Sequence, residues 1–235
     1  MSESSWNCDV GLALESRAEA LAVRLSRTIL SLTAHPRFSL DVGGGDGSLT
    51  RSLEKRTLSR YILIDPGLTQ EHSATFITSV RGSAFALPFQ ENTFDIVTLV
   101  SVYEHLTPPA KRLQALKEIR RVLKPGGFLV GQIPNMNFPI EIHSKLPLIQ
   151  FLPDPIARWY YRVMAPIPPE RKQKYGIRWY RVTPADLRRE TEVSGFLKGR
   201  VWAANLPKSA IPRLFRPFMF VTKVIPLNWD FYFQK

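Results

Sequence analysis

The chain has 235 residues, with 32 Lys/Arg against 20 Asp/Glu and a single cysteine, Cys8. That length suits one α/β domain with insertions, and one cysteine excludes an internal disulfide framework. The opening residues MSESSWNCDV lack the basic start and apolar stretch of a secretory leader, and no run of about 18 apolar residues occurs, so the expected setting is the cytoplasm, with no membrane-spanning helix.

Residues 12–34 read as an amphipathic helix, with Leu14, Ala18, Leu21, Leu25 and Ile29 at helical spacing and a stop at His35-Pro36. Short apolar runs follow: Phe38–Val42, Tyr61–Ile64, a weaker Phe76–Val80, Phe94–Val100 and Phe128–Ile133. Helical patterns lie between them, clearest at Leu113–Leu123, which Lys124-Pro125-Gly126-Gly127 closes. Strands alternating with helices imply a parallel sheet with crossovers. Prolines and aromatics then crowd residues 136–182, which read as an insertion over the functional edge of the sheet. Order returns with Thr183 as N-cap and Pro184 at the first helical position, a helix to about Val193, a strand over Phe196–Ala203 and a closing strand at Trp229–Phe233. The expected organisation is one domain: an N-terminal helical segment at 1–37, a ligand-binding core at 38–135, the insertion, and closing elements at 183–235.

The strongest motif is Asp41-Val42-Gly43-Gly44-Gly45-Asp46-Gly47, directly after a strand. Glycines let the backbone turn sharply and approach a ligand, and the helix that follows offers free N–H groups and the positive end of its dipole. Asp65 ends the second strand, where an acid accepts hydrogen bonds from ribose hydroxyls. A dinucleotide fingerprint would want glycine at position 48, which here is Ser48.

DVGGGDG, LIDPG, ALPFQENTFDIV and EIRRVLKPGGFLV, in this order across residues 38–135, resemble the successive motifs of class I S-adenosylmethionine-dependent methyltransferases of the small-molecule type. RWYRVTPADLRRE at 178–190 is similar to the segment before the late helix of several such enzymes. The resemblance implies a Rossmann-like, mostly parallel seven-stranded sheet with helices on both faces and an insertion after the fifth strand. It implies S-adenosylmethionine as cofactor, with Asp41, Gly43, Gly44, Gly45 and Gly47 around its methionine part. Asp65 would take the ribose, Pro66 would lie beside the adenine, Ser83-Ala84-Phe85 would pass the adenine edge, and Ser101 would close the pocket. Many relatives carry an acid at the position of Ser83, and a neutral hydroxyl binds more weakly than a carboxylate. Asp95 is expected to anchor a neighbouring loop.

Two of the four histidines are candidates for a general base: His105, just after the fourth strand, and His143, which opens the insertion. His35 and His72 read as surface residues. Glu104-His105 also resembles a pair that joins an earlier acid to hold a divalent ion in quinone-biosynthesis O-methyltransferases. Ser101 stands at that earlier position, and two ligands make a poor site for a hard cation, so no metal is expected.

The charge is lopsided. Residues 136–235 hold 17 Lys/Arg against 7 Asp/Glu, whereas residues 1–135 hold 15 against 13. Trp159, Tyr160, Tyr161, Trp179 and Tyr180 are interleaved with Arg158, Arg162, Arg178 and Arg181, which suits a flat or anionic acceptor or an aromatic core with arginines reaching outward. The run Ile211–Ile225, apolar with Arg213, Arg216 and Lys223, suits an anionic bilayer or a lid. These features point first to methylation, at oxygen, of a small-molecule or lipid-linked acceptor of anionic character, with peripheral membrane contact. RNA methylation comes second, and a non-catalytic cofactor-binding scaffold third.

Overall fold

The computed structural model describes residues 3–68, 78–139, 146–164, 182–204 and 226–235. Helix α1 (Glu3–Leu32) precedes strand β1 (Phe38–Val42), helix α2 (Ser48–Thr57) and strands β2 (Arg60–Asp65), β3 (Thr78–Arg81) and β4 (Phe94–Val100). Then come a 3-10 turn (Tyr103–His105), helix α3 (Pro109–Val122) and strand β5 (Leu123–Pro134). A second 3-10 turn (Ile149–Phe151), helix α4 (Asp154–Met164), helix α5 (Pro184–Val193) and strands β6 (Gly199–Ala204) and β7 (Asn228–Gln234) complete the described elements.

All seven strands share one sheet, ordered β3-β2-β1-β4-β5-β7-β6. The first five run parallel, and β7 alone is reversed, pairing antiparallel with both β5 and β6. The chain crosses over after β3, so β1 and β4 lie side by side and their carboxyl ends frame the crevice where open sheets of this kind bind ligands. Strand β4 sits at the centre, and its near-continuous apolar sequence is what a strand covered on both faces requires. Val97 and Leu99 pack with α3 residues Leu116 and Ile119 and with Leu187 of α5. Ile96 packs on the opposite face with Leu25 and Ile29 of α1 and Leu53 of α2.

Some boundaries differ from the pattern-based ones. Helix α1 starts well before residue 12, and β3, described over Thr78–Arg81, runs one residue past the expected end at Val80. Lys124-Pro125-Gly126-Gly127 is built into β5, whereas the pattern assigns it to a stop. The strand pairs through it with a register shift, from Phe94↔Leu123 to Ile96↔Phe128. Gly126 takes φ +79°, and a side chain on Gly127 would come within 2.9 Å of the Asp95 carbonyl, so the two glycines permit a bulge. Helix α5 opens with the expected cap: Thr183 accepts from the Asp186 backbone N–H, and the Asp186 carboxylate accepts from that of Thr183. The start of the expected third strand, His72, His143, residues 178–181 and the run 211–225 lie outside the described residues.

Candidate functional site

The glycine loop joins β1 to α2, and its glycines answer different demands. A side chain on Gly43 would meet Val102 at 2.5 Å, and one on Gly44 would meet Leu63 at 2.5 Å and the Asp41 carboxylate at 2.7 Å. Gly43 and Gly44 are thus fixed by the packing beneath the loop. Gly45 has φ +56° and only open space where its side chain would be, so its bare backbone faces outward, toward any ligand. Gly47, at φ +75°, is the N-cap residue of α2, and the Asp46 carboxylate accepts from the Ser48 N–H.

Asp65 reaches this loop across the β1–β2 crevice. Its Oδ2 accepts from the Gly45 N–H at 3.1 Å and its Oδ1 from the Gly67 N–H at 2.7 Å. The two most distinctive sequence signals therefore meet, with Asp65 half-buried and Pro66 exposed beside it. Asp41 is placed differently. It is buried beneath the loop, where its carboxylate accepts from the hydroxyls of Thr50 at 2.6 Å and Thr98 at 2.7 Å. Burial pushes its pKa up, against these two hydrogen bonds, and the group ties β1 to β4 and α2.

A cavity of about 280 Å³ adjoins the loop, lined by Gly44, Asp46, Ser101 and Gln132 with Arg17 and Leu21 of α1. Ser101 sits at φ +54°, an uncommon conformation outside glycine, and donates its N–H to the Gln132 carbonyl. The Gln132 side chain accepts from Arg24 at 2.7 Å, and Arg24 pairs with the buried Asp230 of β7 at 2.6 Å. Burial lowers the Arg17 pKa, and this guanidinium has no acidic partner among the described residues. A desolvated cation facing a cavity calls for an anionic ligand group. Sequence reasoning missed Arg17, Gln132 and Arg24: their neighbours in the sequence carry no motif, and only the fold of α1 across the sheet edge brings them to the loop.

Ser83, Ala84 and Phe85 form a turn after β3. The Ser83 hydroxyl accepts from the Phe85 N–H at 3.3 Å, and Lys111 lies 4.9 Å over the Phe85 ring. His105 follows β4 in the 3-10 turn, with its side chain 60% exposed and Nε2 3.9 Å from the buried Glu104. It does not line the cavity. The turn is held by Tyr103, which donates to Glu190 of α5, while Arg112 of α3 donates two hydrogen bonds to the same carboxylate at 2.7 and 2.8 Å. Asp95 fills the anchoring role expected of it: it accepts from the N–H groups of Arg37 and Phe38 and pairs with Lys124 at 2.7 Å. Among the described residues, no cluster of three or more His, Cys, Asp or Glu side chains could hold a metal ion.

Residues 40–131 match the methyltransferase-domain family. Together with the sheet order and the loop, this makes residues 40–131 a methyltransferase domain with S-adenosylmethionine as its cofactor, similar in sequence and fold to S-adenosylmethionine-dependent methyltransferases. The chain is 37% identical over 111 residues to a ubiquinone/menaquinone biosynthesis C-methyltransferase from Ruegeria sp., covering 41% of this chain and 43% of that protein. An uncharacterized methyltransferase from Mycolicibacterium paratuberculosis is 28% identical over 93% of this chain and 82% of its own length. The solved S-adenosylmethionine-dependent methyltransferase from Archaeoglobus fulgidus superposes with a TM-score of 0.58 at 19% identity, over 93% of this chain and 94% of that one, which speaks for the fold. The quinone-pathway relatives are matched over less than half their length.

The residues present fit this cofactor. Gly45 leaves room for a ligand against the backbone, Asp65 offers carboxylate lone pairs at the loop, and Arg17 supplies a desolvated cation beside it.

Proposed function

We propose that the protein transfers a methyl group from S-adenosylmethionine to a small-molecule or lipid-linked acceptor, with oxygen as the acceptor atom. The observation that carries this reading is the Gly45–Asp65 contact beside a cavity in which Arg17 has no acidic partner among the described residues. When bound, S-adenosylmethionine supplies a carbon already activated by its cationic sulfur. The chain's own task is then to align donor and acceptor, exclude water and accept a proton where the acceptor has one.

In this reading Asp65 accepts from the ribose hydroxyls and Arg17 pairs with the methionine carboxylate. Ser101 and Gln132 form the wall between cofactor and acceptor. His105 and His143 are the candidate bases. The exposed His105 ring is available for proton exchange with solvent, and the Tyr103–Glu190–Arg112 network fixes the backbone that carries it. Carbon methylation is the second reading, favoured by the relative named as a C-methyltransferase.

Incubating the protein and a cell extract with methyl-¹³C-labelled S-adenosylmethionine tests both. Label in a metabolite or lipid fraction with an O-methyl carbon resonance supports the first reading, and a C-methyl resonance supports the second. Label in RNA would replace both, and no transfer alongside tight cofactor binding would leave a scaffold.

A further inference from the structure

Helix α4 carries two faces that ask for different surroundings. On one, the buried Ala157 and Tyr161 pack with Leu146 and Ile149 in a small core of their own. On the other, Ile156, Trp159 and Val163 recur at i, i+3 and i+7 and are 51%, 63% and 58% exposed. Phe151, in the 3-10 turn just before the helix, is 47% exposed. Leu148, also exposed, holds a left-handed backbone conformation, φ +58°, which a leucine adopts only under strain. A cluster of large apolar side chains on one helix face marks an interaction site.

We propose that this face docks the protein on an anionic phospholipid bilayer. Charge complementarity identifies the occupant. Exposed Arg158 and Arg162 lie on α4 itself, whose only acid is Asp154 at its start. They belong to the region with 17 Lys/Arg against 7 Asp/Glu. An aliphatic stripe with one tryptophan and flanking arginines is the composition of an interfacial helix, its apolar face in the acyl boundary and its cations at the headgroups. Single-stranded RNA would want stacking platforms and gains little from Ile156 and Val163. The position also suits a lipid-linked acceptor. The segment leaves the carboxyl end of β5, and the Leu148 N–H donates to the Pro139 carbonyl, so α4 is tethered at the ligand-binding edge of the sheet. The docking does not depend on which atom is methylated, or on turnover at all.

Sedimentation of the full chain with vesicles tests it. Binding should appear with phosphatidylcholine–phosphatidylglycerol vesicles, be absent with phosphatidylcholine alone, and weaken as salt rises. Ile156→Ser and Val163→Ser should each lower partitioning by about tenfold. Arg158→Glu with Arg162→Glu should lower it by at least about tenfold. Calorimetry with S-adenosylhomocysteine on the same variants should give wild-type affinity, which separates docking from the cofactor reading. In the unmutated protein, brominated acyl chains should quench tryptophan fluorescence, and Trp159→Phe should remove most of that quenching. Equal recovery with both vesicle types, recovery with neither, or absence of quenching would overturn the proposal. So would wild-type partitioning of the apolar variants, or displacement of bound vesicles by polyuridylate.

Discussion

The loop after β1 and the segment after β5 both leave the carboxyl ends of parallel strands, yet they are built on opposite principles. In the loop the acids and glycines of the motif each have close partners: Asp41 two threonines, Asp65 two backbone N–H groups, Gly43 and Gly44 the side chains pressed against them. The segment leading into α4 has a core of a few side chains and leaves large apolar groups and arginines outside. The first arrangement presents a fixed backbone to a ligand that hardly varies. The second presents a surface whose energetics depend on what meets it. Cofactor recognition can therefore be read from local geometry, and acceptor recognition cannot.

The largest effect is expected at the candidate bases, which serve the acceptor and not the cofactor. If oxygen is methylated, His105→Ala or His143→Ala should lower turnover by about 10²–10⁴ while S-adenosylhomocysteine affinity stays unchanged in calorimetry. Wild-type turnover in both variants would leave alignment alone as the source of catalysis.

A smaller effect, on stability, tests how the C-terminal elements support the cofactor half. Glu190→Ala would strand the buried Arg112 and remove the acceptor of Tyr103, so urea unfolding should show a loss of about 3–5 kcal/mol. An unchanged midpoint would mean that α5 does not brace the turn carrying His105.

Within the loop, Asp65→Ala and Arg17→Ala should each weaken S-adenosylhomocysteine binding by about 1.5–3 kcal/mol, the range for charged hydrogen bonds, and Arg17→Lys should recover part of it. A folded Arg17→Ala protein with full affinity would assign that cation to the acceptor.

The smallest effect lies at the α5 cap. The Thr183 hydroxyl, together with the Thr183 N–H and the nearby Arg189 charge, holds the Asp186 pKa below the usual carboxylate value, against a lesser opposing effect of burial. The capping contribution is therefore complete above the unfolded pKa, about 4, and is lost as pH falls through the lower folded value. Thr183→Ala should cost about 1 kcal/mol in urea unfolding at neutral pH. The gap to the wild type should narrow in acid, where the hydroxyl's bond to the carboxylate weakens while its bond from the Asp186 N–H stays, and a gap that does not change with pH would remove the carboxylate from the cap.

Much of this site was legible in the sequence because strand, glycine loop and second-strand acid are local signals with one structural outcome. The seven described strands were legible for the same reason. Arg17, Gln132 and the Tyr103–Arg112–Glu190 network were not, since their partners lie far away along the chain and meet only after the sheet has ordered. The Lys124–Gly127 stretch misled because glycine and proline signal a stop and a bulge alike, and pairing across β4 decides between them. The histidines stayed ambiguous because methyl transfer from a sulfonium asks little of a base.

Strand β7 has a consequence for how the molecule is made. It occupies the gap between β5 and β6, although it follows both in the sequence. Its pairing with β5 joins Phe128 to Gln234, a long-range seam. While the chain emerges from the ribosome, β5 presents an open hydrogen-bonding edge until residues 228–234 arrive, and β6 has no other neighbour among the described strands. An unpaired edge invites pairing with other chains. Strand β7, made after both of its neighbours, is thus the one that shields the nascent sheet from aggregation, and slowing translation just before it should raise the yield of insoluble product more than slowing it elsewhere.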